Sequence, residues 1–176
     1  NNDRIHAHLR ILHIGVDQAS MDEVEAKIAE LCGDGWDPEE SIFDTPDHVV
    51  WGGSMDNAGM IAKTQYGKVK SLAQRYKAVM WAVIQAKQEA EGKIATNKHA
   101  AWGYDKARLA DIMFTINPGL DERGNPMSEK EMGNSRCLFV SKARKSQARF
   151  IIPLTTDFST AYITEQLAGD KPEADG

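Results

Sequence analysis

Two polar side chains stand at the ends of apolar runs. Asp44 closes Ser41-Ile42-Phe43, and Gln85 closes Ala78-Val79-Met80-Trp81-Ala82-Val83-Ile84. A carboxylate at the carboxyl end of a strand lies where open α/β sheets place ligands. In phosphate-handling sheets such a group holds magnesium through water; the same residue type also forms turns and caps. The amide of Gln85 offers a donor and an acceptor at the matching place on another strand, suited to local hydrogen bonding. One right-handed crossover of loop and helix between the two runs brings Asp44 and Gln85 to neighbouring strand ends, where they can line one cleft. Further on, Lys142, Arg144, Lys145 and Arg149 form a basic stretch that, on composition alone, reads equally as a solvated edge. No stretch fits the phosphate-loop pattern G-x-x-x-x-G-K-[ST]. Gly59 and Gly67-Lys68 are too widely spaced and Val69 follows the lysine, while Gly92-Lys93 has no upstream glycine at the right distance.

The elements that must position these residues follow from periodicity. Arg10 to Val16 is a short apolar run that predicts a strand, and Ser20 with Glu23 is a capping-box pattern that opens a helix. Met21, Val24, Ile28 and Leu31 give that helix one apolar stripe, and Gly33 with Gly35 can end it. After the Asp44 strand, Thr45-Pro46-Asp47-His48 ends the ladder because proline has no N–H to donate. Residues 51–59 are glycine-rich and predict a loop. A helix is expected over 60–76, with Val69, Leu72, Ala73 and Tyr76 on one face. The Gln85 strand has no alternation, as expected of a parallel strand covered on both faces. Lys87 to Arg108 predicts a second long loop with a helical turn in it, and Leu109 to Ile116 a further strand. Asn117 to Ser135 predicts a surface excursion. The runs at 137–141, 149–154 and 161–163 predict an antiparallel meander. Lys171 to Gly176 reads as a frayed tail. The order implies an α/β layer with an antiparallel extension.

Composition sets bounds. With 176 residues, 41% apolar and 27% charged, the chain suits one ordinary globular domain over 1–166 with a flexible tail over 167–176. The net charge of −5 provides no broad attraction for nucleic acid or an anionic membrane, so any DNA contact must be local. Cys32 and Cys137 are far apart in sequence and show no metal-ligand spacing, which points to reduced thiols in a cytoplasmic protein. No apolar run approaches the roughly 20 residues of a membrane helix. The N-terminus has neither an initiator methionine nor a signal-peptide core, which suggests a processed or trimmed chain.

The order of these motifs resembles the ATPase core of ring-forming replicative helicases of the bacterial DnaB type. Leu9 to Val50 is similar to the segment that leads into and through the family's Walker B strand. Val69-Lys70-Ser71-Leu72-Ala73-Gln74-Arg75-Tyr76 and Val83-Ile84-Gln85 resemble the helix and the glutamine-terminated sensor strand. Leu109-Ala110-Asp111-Ile112-Met113-Phe114 and Leu138-Phe139-Val140-Ser141-Lys142-Ala143-Arg144-Lys145 continue the likeness across nearly the whole chain. Each motif alone is loose, and their order carries the weight. The resemblance implies a RecA-like, mainly parallel sheet flanked by helices, with a C-terminal antiparallel hairpin extension and an incomplete core. It makes Asp44 the Walker B carboxylate, with ATP and magnesium as cofactors, and Gln85 the sensor of the γ-phosphate. Lys142 and Arg144 become cations that reach the nucleotide of the neighbouring subunit, where charge developing on a transferred phosphoryl group needs them. Residues 51–59 and 87–104 take the places of the central-channel loops. There Lys87, Lys93, Lys98 and His99, with Trp102 and Tyr104, are suited to meet the phosphates and stack on the bases of single-stranded DNA.

The departures are as informative. The phosphate loop, its strand and the glutamate-bearing strand that follows it precede, in the family, the point where this chain begins, and Thr45-Pro46 replaces the usual aromatic or aliphatic residue. By resemblance the phosphate-loop strand sits between the Gln85 and Leu109 strands, so its absence leaves an open edge that invites pairing. An upstream segment of the same gene product, or a partner chain, is expected to fill it. Three functions then compete: the distal half of a phage or bacterial helicase motor working as a homo-oligomeric ring, a non-catalytic RecA-like protein that docks on a helicase and modulates it, and an unrelated small α/β binding domain in which Asp44 caps a turn.

Overall fold

A computed structural model of the chain describes residues 9–15, 19–50, 58–100 and 103–166, with backbone only for 58 and 103–105. It separates into two compact units, 1–83 and 84–176, each of which has its own sheet.

In the first unit, helix α1 spans Met21–Gly33 and begins at the expected capping box. The Ser20 backbone N–H donates to Glu23 Oε2 at 2.7 Å and the Glu23 N–H donates to Ser20 Oγ at 3.3 Å, so two N–H groups that would lack a helical partner are satisfied. These bonds hold the Glu23 carboxyl below its ordinary value. Gly35, at φ +90°, takes the left-handed turn after the helix end. Strand β1, Glu40–Phe43, pairs in parallel with β2, Val79–Ala82, in the register Phe43 to Ala82. Helix α2, Ala58–Tyr76, connects them. Met21, Val24, Ile28, Val69 and Leu72 form the core of this unit, with Phe43, Tyr76 and Met80 packed against it. Each of these large side chains contributes about 1.5–3 kcal/mol on burial. The apolar stripes read from the sequence thus face one another across α1 and α2.

Three expectations for this unit are corrected. Leu9 to Gly15 is not a strand: Leu9, Ile11, Leu12 and Ile14 are exposed and join no ladder. An apolar run becomes a strand only where a neighbour supplies backbone partners, and among the described residues none flanks it. Strand β2 is shorter than the run that predicts it, ending at Ala82. Nor is the small sheet covered on both faces, since Ile42 and Val79 are exposed at 71% and 48%. The 51–57 part of the expected glycine-rich loop and Val16 lie outside the described residues, as does the tail from 167.

The second unit is a four-stranded antiparallel sheet in the order β3-β4-β5-β6, made by Ile112–Pro118, Ser135–Ala143, Phe150–Asp157 and Tyr162–Glu165. The expected meander is present, and the Leu109 run joins it instead of the parallel layer. Leu109 itself ends helix α3, Gly103–Leu109, which replaces the last part of the expected long loop. A short helix α4, Glu129–Met132, lies in the excursion between β3 and β4. Strand β3 alternates, with Ile112, Phe114 and Ile116 exposed on one face and Asn117 buried on the other. A parallel pair, an antiparallel sheet and flanking helices make the chain mixed α/β, the class expected from the element order.

Both sheets end on open edges. Among the described strands β2 pairs only with β1, and β3 only with β4. The Val79 and Val83 N–H groups donate to Glu39 and Phe43, so by the alternation of a strand those of Met80 and Ala82 point away from β1. The Gly119 N–H donates to Ser135, and the same alternation turns the N–H groups of Phe114 and Ile116 away from β4. Pro118, at the end of β3, has no N–H to offer that edge.

Candidate nucleotide site

Asp44 follows β1 directly and is exposed. The loop behind it is braced by α2. Thr45 caps a 3-10 turn at Pro46–His48, and two adjacent helix residues hold the far side of that turn. The Gln65 side-chain amide donates to the Val49 carbonyl at 2.9 Å, and the Tyr66 hydroxyl donates to Asp47 Oδ1 at 3.1 Å. Both Gln65 and Tyr66 are buried, so the bonds form away from bulk water, where an unpaired polar group is costly. Their rigidity carries to Asp44 through three residues of turn. These two residues were missed in the sequence, although they continue the Val69–Leu72–Tyr76 stripe by one helical turn. The sign that gave them away is a glutamine lying on an apolar face.

Burial pushes the Tyr66 phenol well above its ordinary value, and the Asp47 carboxylate adds to the effect. The folded chain therefore keeps a proton that the unfolded chain releases above about pH 10. Stability from this group is complete below that pH and is lost as pH rises beyond it. Urea midpoints at pH 8 and pH 11 are expected to fall more steeply for the wild type than for Tyr66→Phe. Equal falls would show that Tyr66 does not keep its proton.

Among the described residues no group of three or more His, Cys, Asp or Glu side chains converges to cage a metal. A single exposed carboxylate still fits magnesium, which binds through one or two carboxylates, waters and the phosphates of a nucleotide. Gln85 lies in the second unit, three residues beyond the end of β2, and is exposed.

Lys142 and Arg144 lie at the end of β4 and beside the C-terminus of α3. The Lys142 ammonium donates to the carbonyls of Ala107, of Ala110 at 2.7 Å and of Arg108 at 3.4 Å. The Arg144 guanidinium donates to the Arg108 carbonyl at 3.1 Å and pairs with Asp111 at 3.2 Å. Carbonyls in a last helical turn have no partner within the helix, and a cation there also meets the negative end of the helix dipole. Lys145 and Arg149 are exposed, and only they keep the character of a solvated edge.

The 87–100 segment is more ordered than a mobile loop. A 3-10 turn spans Gln88–Ala90. Buried Asn117 accepts from the Ala95 N–H at 2.7 Å, and the Thr115 hydroxyl donates to the Ala95 carbonyl at 2.6 Å. His99 accepts at Nδ1 from the Thr96 N–H at 3.0 Å, which leaves Nε2 as its proton-bearing nitrogen. Lys87, Lys93 and Lys98 remain exposed. A recess of about 490 Å³ opens beside them, with Lys87, Lys93, Ile116, Met127 and Met132 in its wall. Trp102 lies outside the described residues, and so does the Tyr104 side chain.

No family model and no curated protein sequence matches the chain. Solved structures do. A helicase ATPase domain of the DnaB-like kind superposes with a TM-score of 0.68 at 14% identity, covering 85% of this chain and 52% of that one. The structure of a DnaB-like replicative helicase and its interactions with primase gives 0.64 at 14% identity, covering 80% of this chain and 34% of that one. The chain thus spans about half the length of the first and about a third of the second. Its fold is that of part of a RecA-like ATPase domain of the DnaB-like helicase kind.

Proposed function

We propose that this chain is the distal part of the ATPase core of a ring-forming replicative helicase of phage or bacterial type. In this reading it is active when a phosphate-loop segment, from the same gene product or a partner, completes it in the cytoplasm. Asp44 holds magnesium on ATP, Gln85 senses the γ-phosphate, and Lys142 and Arg144 serve the nucleotide of the next subunit. Lys87, Lys93, Lys98, His99 and Trp102 face single-stranded DNA. Magnesium supplies charge neutralisation on the phosphates; the chain's own residues place and polarise them.

One observation carries the reading. The fold matches only 52% of a DnaB-like ATPase domain, and β2 and β3 each present an unpaired edge. Exposed apolar side chains stand beside both edges, Ile42 and Val79 in one unit and Ile112 and Ile116 in the other. Open, apolar edges are what natural sheets avoid unless something pairs with them.

The test is ATP turnover by the chain alone and by the chain joined to the phosphate-loop half of a DnaB-like ATPase domain. Turnover only in the joined form, stimulated by single-stranded DNA, is expected. A joined form that folds and binds no nucleotide contradicts the proposal. A joined form that binds nucleotide without turning it over favours the second reading, a non-catalytic RecA-like protein that docks on a helicase and modulates it. That reading draws support from the engagement of Lys142 and Arg144 within their own unit.

A further inference from the structure

The contacts of Lys142 and Arg144 point to a device that the assignment of trans-acting cations does not contain. Both side chains are already in use. Together they take the carbonyls of Ala107, Arg108 and Ala110 and the carboxylate of Asp111, a stretch of five residues that ends α3 and begins β3. The backbone adds a further tie, since the Arg144 N–H donates to the Asp111 carbonyl at 2.8 Å. A side chain that caps this turn cannot at the same time bind a phosphate on another subunit.

We propose that the C-terminal turn of α3 is a holding site for Lys142 and Arg144, and that nucleotide in a neighbouring subunit must draw them off it. The proposal rests on the ATPase reading above and says how that site is regulated. Its energetics favour an exchange. The lysine is held by neutral carbonyls, and a phosphate oxygen is a stronger acceptor because it is charged. The arginine is held by a largely exposed carboxylate, with the Arg144 and Asp111 side chains 48% and 63% accessible, so that pair is a weak tie. The grip is firm enough to order the empty state and weak enough to yield to a triphosphate.

The exchange has a consequence for the segment before α3. When the cations leave, the Ala107, Arg108 and Ala110 carbonyls lose their donor and the seven-residue helix loses its C-terminal cap. Helices that short depend on such contacts. The helix directly follows the basic 87–100 segment in the chain, so loss of its cap is felt at the residues assigned to DNA. Nucleotide occupancy in one subunit and the position of a DNA-facing segment in the next are thereby made mutually dependent.

Two variants test this without relying on either alone. In the full chain, Lys142→Met keeps the side-chain stem and removes the donor. Amide hydrogen exchange across 104–110 is expected to accelerate tenfold or more, about what loss of hydrogen bonds to a charged group implies, while β5 is unchanged. In the completed ATPase, Asp111→Asn weakens the arginine tie and touches no group assigned to nucleotide or DNA. Turnover without DNA is expected to rise roughly two- to fivefold, the range an exposed ion pair spans. Unchanged exchange in Lys142→Met, or unchanged or lower turnover in Asp111→Asn when the wild-type assembly hydrolyses ATP, overturns the holding site. A wild-type assembly that binds no nucleotide removes the ATPase reading and the release step with it, and Lys142→Met still decides separately whether the lysine caps α3.

Discussion

Arg144→Ala in the completed ATPase is expected to lower turnover by about a thousandfold or more while nucleotide affinity changes only a few-fold, the pattern of an arginine that serves the transition state from a neighbouring subunit. The physical reason is the timing of charge. Negative charge spreads over the transferred phosphoryl group only as the bond to the leaving oxygen loosens, so a cation from outside the binding pocket contributes little to ground-state affinity. A planar guanidinium with several donors suits that task, and lysine at the same place does not restore its geometry. The fold supplies a control, because Arg144 pairs with Asp111 only at an exposed site. Its loss should cost no more than about 1 kcal/mol of stability. Stopped-flow binding and steady-state turnover of the same preparation check the result. Equal loss of binding and turnover would show that Arg144 is structural.

The second large effect is expected at Asp44. Asp44→Asn preserves size and removes the charge, so magnesium bound to the nucleotide loses its protein anchor. Turnover should fall by roughly a hundredfold to a thousandfold, the scale of losing one electrostatic stabiliser in an active site. Because Asp44 is exposed and its neighbours Gln65 and Tyr66 hold Val49 and Asp47 instead, the stability change should stay within about 0.5 kcal/mol. The magnesium dependence of turnover checks the assignment: the variant should need a higher magnesium concentration for half-maximal rate. An unchanged magnesium requirement would return Asp44 to the role of a turn residue.

Much of this arrangement was legible in the residues. Ser20 and Glu23 announced the start of α1, and Met21, Val24 and Ile28 its buried face, because capping and helical periodicity are local properties. The run that ends in Asp44 fell where β1 lies for the same reason. What failed was set by neighbours distant in sequence. The Leu9 to Gly15 run has strand composition and no ladder to join. The polar 87–108 stretch looked structureless because its order comes from Asn117 and Thr115 of β3 and from the caps that Lys142 and Arg144 place on α3. No period within the stretch itself encodes those bonds. The site was legible as a set of residue types and not as a set of contacts. Asp44 and Gln85 were found from the ends of apolar runs, whereas Gln65 and Tyr66 were hidden among helix-face residues. The engagement of Lys142 within its own unit has no signature in the sequence.

The most direct measurement of the central claim is backbone hydrogen exchange at the four amides that face the open edges, Met80, Ala82, Phe114 and Ile116. It is made on the chain alone and again after it is joined to a phosphate-loop half. Exchange much faster than at Val79 and Val83 in the free chain, followed by marked slowing at both edges in the joined form, is the expected result. Protection of all four amides in the free chain, or no slowing after joining, would contradict the claim that these sheets await further strands.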